Sequence, residues 1–198
     1  MGRSIETIKP EPWGHTGAIL VGGRSRRMGR SKHDIPVAQG RTMLECVAAA
    51  LSAICSPVVL AGTANPCPAG WLSIDDRRSE QGPLGGIEAL LASGLDEQYL
   101  ICPCDIPLVC VPLLSALTVP TTASATVLRL DGEPRPRPLP IRLSVAALPQ
   151  VSRMLDDGRR AVHELLDALD LEIVAAPDSW MHDLKNVNTP EDLRRLCP

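Results

Sequence analysis

The sequence has no long hydrophobic run, no large excess of either charge and no Cys-x-x-Cys pair. Phenylalanine is absent, and only three of the 20 basic residues are lysine. The longest apolar stretch, Val47 to Cys55, is broken by Ser52 and falls well short of the roughly 20 residues that span a bilayer, which excludes a transmembrane protein. Residues 1–16 carry Glu6, Pro10, Glu11, Pro12 and His15 in place of the apolar core of a secretory signal; they are expected to form a flexible lead-in to one domain over 17–198. A net charge of −3 provides no field to draw nucleic acid. Internal repeats and collagen-like or coiled-coil periodicity are also missing. What remains is an ordinary globular composition, 44% hydrophobic and 22% charged, with length enough for a buried core.

Seven cysteines cannot all pair, and no secretory address accompanies them, so reduced thiols and a cytoplasmic location are expected. Cys102 and Cys104 are separated by one residue and share a face in an extended strand, which suits packed core thiols better than a metal-thiolate site. The four histidines match no ligand spacing.

Short apolar runs alternate with helical patterns along the chain. Gly17–Val21, Val58–Ala61, Leu72–Ile74, Tyr99–Cys102, Ala125–Leu130, Pro138–Leu143 and Glu172–Ala175 are predicted strands. Thr42–Cys55, Gly85–Ser93, Val111–Leu117, Leu148–Leu155 and Ala161–Leu169 are predicted helices, and Thr189-Pro190-Glu191-Asp192 is a helix start: N-cap, proline at the first turn, then acids. This alternation predicts an α/β protein, a three-layer, Rossmann-like, doubly wound and mainly parallel sheet. In such sheets ligands bind beyond the carboxyl ends of the strands, which directs attention to the loops after Val21, Ala61, Ile74 and Cys102.

The loop after the first strand reads Gly22-Gly23-Arg24-Ser25-Arg26-Arg27-Met28-Gly29-Arg30-Ser31-Lys32. It is neither a Walker P-loop nor G-x-G-x-x-G. Glycines that let backbone N–H groups approach an anion, interleaved with five bases, nevertheless describe a phosphate-gripping loop. Asp105 follows an apolar strand, where a carboxylate needs a partner or a metal. Asn186 and Asn188 alternate on one face if extended and offer amides to a polar ligand.

Leu20-Val21-Gly22-Gly23-x-Ser25-x-Arg27-Met28-Gly29-x-x-Lys32 resembles the signature loop of GT-A-like nucleotidyltransferases, and among them that of the molybdenum cofactor guanylyltransferases (MobA-like proteins). Gly82-Pro83-Leu84-Gly85-Gly86, Cys102-Pro103-Cys104-Asp105-Ile106-Pro107, Arg137-Pro138-Leu139-Pro140 and Asn186-Val187-Asn188-Thr189-Pro190-Glu191 match further family segments in the same order. The resemblance implies the nucleotide-diphospho-sugar transferase type of fold and transfer of GMP from GTP to the terminal phosphate of molybdopterin, with release of pyrophosphate. It implies backbone N–H groups of Leu20, Val21, Gly22 and Gly23 along the nucleotide, and Arg27 and Lys32 as catalytic cations on the phosphates. Asp105 would be both catalytic and a ligand of Mg²⁺, a hard cation suited to carboxylate and phosphate oxygens. Asp76, or its neighbour Asp75, would contact base or ribose, and Gly82, Pro83, Leu84 and Gly85 the base edge. Arg159, Arg160, Asn186 and Asn188 would meet the acceptor. Guanylyl members often carry Asn where this chain has Ala61-Gly62, so a cytidylyl version or another phosphate acceptor stays open, as does a non-catalytic nucleotide-binding module. Other molybdenum cofactor assembly proteins or molybdoenzymes are the macromolecular partners implied; neither nucleic acid nor membrane is expected.

Overall fold

The computed structural model describes residues 12–21, 36–37, 40–62, 67, 69–189, 191–192 and 194. Its seven strands are β1 (Thr16–Leu20), β2 (Val58–Ala61), β3 (Ser73–Ile74), β4 (Gln98–Pro103), β5 (Ala125–Leu130), β6 (Arg137–Ser144) and β7 (Leu171–Ala176). They form one sheet in the order β3-β2-β1-β4-β6-β5-β7. β6 alone runs against its neighbours; the other pairings are parallel. The doubly wound, mainly parallel sheet expected from the strand–helix alternation is therefore present.

Side chains alternate across this sheet and build a core on each face. Ile19, Leu60, Leu100, Cys102 and Leu128 face α1 (Met43–Ser52) and α3 (Val111–Ala116). Ala18, Leu20, Val59, Tyr99 and Ile101 face α2 (Pro83–Leu91), α4 (Leu148–Asp156) and α5 (Val162–Leu166). Helix α1 starts at a capping box: the Glu45 N–H donates to Thr42 Oγ1 at 3.2 Å, and the Thr42 N–H donates to Glu45 Oε2 at 2.7 Å. The expected start of the final helix has the same reciprocity, with Thr189 Oγ1 accepting from the Asp192 N–H at 3.1 Å and Asp192 Oδ2 accepting from the Thr189 N–H at 2.9 Å. No helix among the described residues is long and apolar enough to cross a membrane.

Three features went unforeseen. Two 3₁₀ turns, Val145–Ala147 and Asp178–Met181, join longer elements. Arg142 lies buried within β6 because Thr126 Oγ1, Gln98 Oε1 and the Ala123 carbonyl all accept from its guanidinium at 2.7–2.8 Å. Finally, Thr16 opens β1, and the residues just before it are anchored: the Trp13 N–H donates to the Ile54 carbonyl at 2.8 Å, and His15 Nδ1 lies 2.8 Å from Asp96 Oδ1.

Asp96 is the knot of that anchor, since its Oδ2 also accepts from the Thr16 N–H at 2.8 Å. Burial pushes its carboxyl upward, but hydrogen bonds from His15 and the N–H groups of Thr16, Glu97 and Gln98 outweigh this, and the net shift is downward. A depressed carboxylate stabilises the fold above its ordinary titration range and loses that contribution as pH falls through the folded value. Asp96→Asn is expected to cost about 1–2 kcal/mol at pH 7. The difference should shrink below roughly pH 4, measured by chemical denaturation at both pH values.

Candidate active site

The carboxyl ends of β1, β2, β3 and β4 lie along one edge of the sheet and are laced there by backbone hydrogen bonds. The Gly62 N–H donates to the Ile74 carbonyl at 3.0 Å, the Val21 N–H to Ala61 at 2.9 Å and the Cys104 N–H to Leu20 at 3.2 Å. At the far end the Val187 N–H donates to the Asp105 carbonyl at 2.7 Å. The lacing joins the segments after four strands with the 186–188 segment. Within this lacing the Val21 N–H is committed to the Ala61 carbonyl, and the side chains of Leu20 and Val21 are buried. Gly22, Gly23, Arg27 and Lys32 lie outside the described residues.

Asp76 enters this edge from the segment after β3. Its Oδ1 is a buried atom, whereas Asp75 is exposed. A Cβ placed on Gly85 would come 3.7 Å from Asp76 Oδ1, and one on Gly62 would come 3.8 Å from it, so the carboxylate sits between two side-chain-free positions. Gly62 has φ +104°, and a Cβ there would stand 2.1 Å from the Val21 carbonyl oxygen; no other residue fits. Gly82 turns the chain into α2, and Pro83 occupies its first turn. Gly82 and Pro83 are exposed, but Leu84 is wholly buried and presents only backbone to the edge.

The other flank reaches the same edge because β6 is reversed. Its end at Ser144 lies at the opposite edge, so α4 runs back and delivers residues 157–160 beside the loop before α2. Arg160 Nε donates to Gln81 Oε1 at 3.0 Å, and Arg159 Nε pairs with Glu164 at 2.7 Å. Asn186 and Asn188 are exposed on either side of the fully buried Val187, the alternation expected of an extended segment.

Asp105, partly exposed, supplies a carboxylate at the end of β4, with its Oδ1 buried. Among the described residues no cluster of three or more His, Cys, Asp or Glu could hold a metal by itself. A cation here would take one or two carboxylates and complete its shell with substrate oxygens, as Mg²⁺ does on nucleotides. Two of the buried thiols are poor ligands: burial, then the neighbouring Cys104 and Asp105, push Cys102 well above the usual thiol range, and burial pushes Cys55 up to about 12.

The model of the MobA-like NTP transferase domain matches residues 17–173, most of the chain and nearly all of the sheet. The chain belongs to this family. Among its MobA-like relatives, the probable molybdenum cofactor guanylyltransferase of Mycobacterium avium is 34% identical over 91% of this chain and 94% of its own. The molybdenum cofactor guanylyltransferase of Xanthomonas euvesicatoria is 31% identical over 93% and 94%. The crystal structure of molybdopterin-guanine dinucleotide biosynthesis protein A from Archaeoglobus fulgidus shares the fold, with a TM-score of 0.74 at 24% identity over 91% of this chain and 96% of that one. The fold also extends to 2-C-methyl-D-erythritol 4-phosphate cytidylyltransferase of Thermus thermophilus, with a TM-score of 0.67 at 16% identity and 90% and 95% coverage.

Sequence reasoning missed one group beside this MobA-like site: Arg78, Glu88, Ser152 and Asp156 form a hydrogen-bonded chain between α2 and α4. Its signal was an acid, Glu88, within the apolar run of α2. The lacing itself is testable at Gly62. Gly62→Ala is expected to lose about 2–4 kcal/mol, combining backbone strain with the Val21 clash, and to lose nucleotide binding with it. Denaturation and nucleotide titration of the same preparation would check both losses.

Proposed function

We propose that this chain transfers GMP from Mg·GTP to the terminal phosphate of molybdopterin, forming the guanine dinucleotide cofactor and pyrophosphate. The observation that carries this reading is likeness over more than nine-tenths of both chains to relatives named for that activity. The geometry supports it, because one sheet edge gathers Asp76, the start of α2 and Asp105 with residues 157–160 and 186–188. We further propose that 17–198 act as one domain, in the cytoplasm, with molybdenum cofactor assembly proteins or molybdoenzymes as macromolecular partners.

In the reaction a terminal phosphate oxygen of molybdopterin attacks the α-phosphorus of GTP, the bond from that phosphorus to the bridging oxygen breaks, and pyrophosphate leaves with the electron pair. Two polyanions must be held in line, so positioning and charge cancellation are the main work. Gly22 and Gly23 would turn backbone N–H groups toward the phosphates. Asp76, rather than Asp75, would accept from the base or ribose, because its carboxylate sits between Gly62 and Gly85. The backbone of Gly82, Pro83, Leu84 and Gly85 would border the base, while Arg27 and Lys32 would face the departing pyrophosphate. Asp105 would hold Mg²⁺, whose positive charge would offset that of the phosphates. Arg159, Arg160, Asn186 and Asn188 would orient the acceptor phosphate and pterin.

Asp105→Asn and Lys32→Ala are each expected to lower kcat by about 100- to 1,000-fold, the scale of removing one preorganised charge from a transition state, while the fold persists. Pyrophosphate release with GTP, Mg²⁺ and molybdopterin, and with CTP replacing GTP, measures this; wild-type rates in both variants would refute the assignment. Equal turnover of CTP would favour the cytidylyl reading that Ala61-Gly62 leaves open.

A further inference from the structure

Glu88 is 2% exposed, on a face of α2 otherwise occupied by Leu84, Ile87 and Leu91. Its Oε1 receives Ser152 Oγ at 2.8 Å and Arg78 Nη2 at 3.0 Å. The second amino group of the same guanidinium, Nη1, lies 2.6 Å from Asp156 Oδ1 at the end of α4. Packing alone does not call for this arrangement. α2 and α4 already meet through Leu84, Ile87, Val151 and Leu155, and an apolar residue generally stabilises such a contact at least as well as a buried ion pair.

Its placement is more informative than its energy. Arg78 follows Asp76 by two residues, and Asp156 precedes Arg159 by three. A second tie between the same segments runs from Arg160 Nε to Gln81 Oε1 at 3.0 Å. Two polar bridges thus fasten the loop between β3 and α2 to the end of α4 and the segment that follows it, and neither is part of the apolar core.

We propose that Arg78 is a positioning residue that holds the nucleotide-side and acceptor-side segments in one register, so that GTP and the phosphate acceptor bind with positive coupling. This rests on the roles proposed above for Asp76, Arg159 and Arg160. Arginine suits the task because its planar fork reaches two carboxylates at once, which a lysine ammonium does not do in fixed geometry. Coupling is reciprocal: if GTP fixes the loop carrying Asp76, affinity for the acceptor rises by the factor that the acceptor returns to GTP.

The experiment uses the full chain and compares wild type with Arg78→Met/Glu88→Gln, which removes both charges of the buried pair and strands neither. KM for molybdopterin is measured by pyrophosphate release at low and at saturating GTP, alongside kcat and thermal unfolding. The wild type is expected to show KM falling about 5- to 10-fold as GTP saturates, and the double variant to lose that dependence with kcat changed less than about twofold. Asp156→Ala severs only the exposed tie to α4 and is expected to weaken the coupling in the same direction even if the double variant does not fold. Unchanged coupling in Asp156→Ala, or in a folded double variant, overturns the proposal, as does a loss of kcat without any change in the KM dependence. A wild type that releases no pyrophosphate overturns the proposed function and the coupling with it; a wild type that turns over with independent substrates overturns the coupling alone.

Discussion

The site depends on a row of backbone hydrogen bonds that ties successive strand ends together. Ile74, Ala61 and Leu20 each accept from the residue just beyond a neighbouring strand, Gly62, Val21 and Cys104, and Asp105 accepts from Val187. Every donor and acceptor in that row is main chain, so its geometry is largely independent of which side chains the edge carries. It sets how closely Asp76, the start of α2 and Asp105 approach one another. It also explains why this edge is built of small residues: backbone meets backbone at Gly62, and α2 seats Gly85 and Gly86 against the same strand ends, where a Cβ on Gly86 would come 3.3 Å from the Gly62 nitrogen and from Leu20. Loop insertions can vary around such an edge, whereas a side chain added inside it meets another strand.

Much of this was legible in the sequence because the central strands are buried on both faces and therefore read as uninterrupted apolar runs, as at Gly17–Val21 and Tyr99–Cys102. The helices announced themselves through caps and prolines, Thr42 and Pro83 among them. Other elements were less clear. Arg142 within β6 and Glu88 within α2 carry charge where periodicity asks for apolar residues, and their partners lie 10 to 64 residues away along the chain. No local pattern encodes such pairings, since they arise only when the sheet brings distant segments together. The same reason hides the commitment of the Val21 N–H to Ala61. Motif spacing pointed to the segments after the strand ends, but it could not tell which backbone donors the sheet consumes, nor that Asp75 is exposed while Asp76 Oδ1 is buried.

The two faces of the sheet are unequally involved. α1 and α3 cover one face with a core that includes Cys104 and also Cys102 and Cys55, two thiols whose pKa burial raises. α2, α4 and α5 cover the other, and it is their ends that reach the functional edge. The apolar packing between α2 and α4 gives rigidity, and the polar ties beside it give register.

The reversal of β6 has an evolutionary consequence. Under the proposed site roles, a lone strand of opposite sense divides the sheet into a flank whose loops would face the nucleotide and a flank whose helices double back toward the acceptor. Lineages are thus free to exchange the recipient by remodelling the second flank while inheriting the first intact. The price of that freedom is concentrated at the few bridges between the flanks, where a change on one side calls for a compensating change on the other.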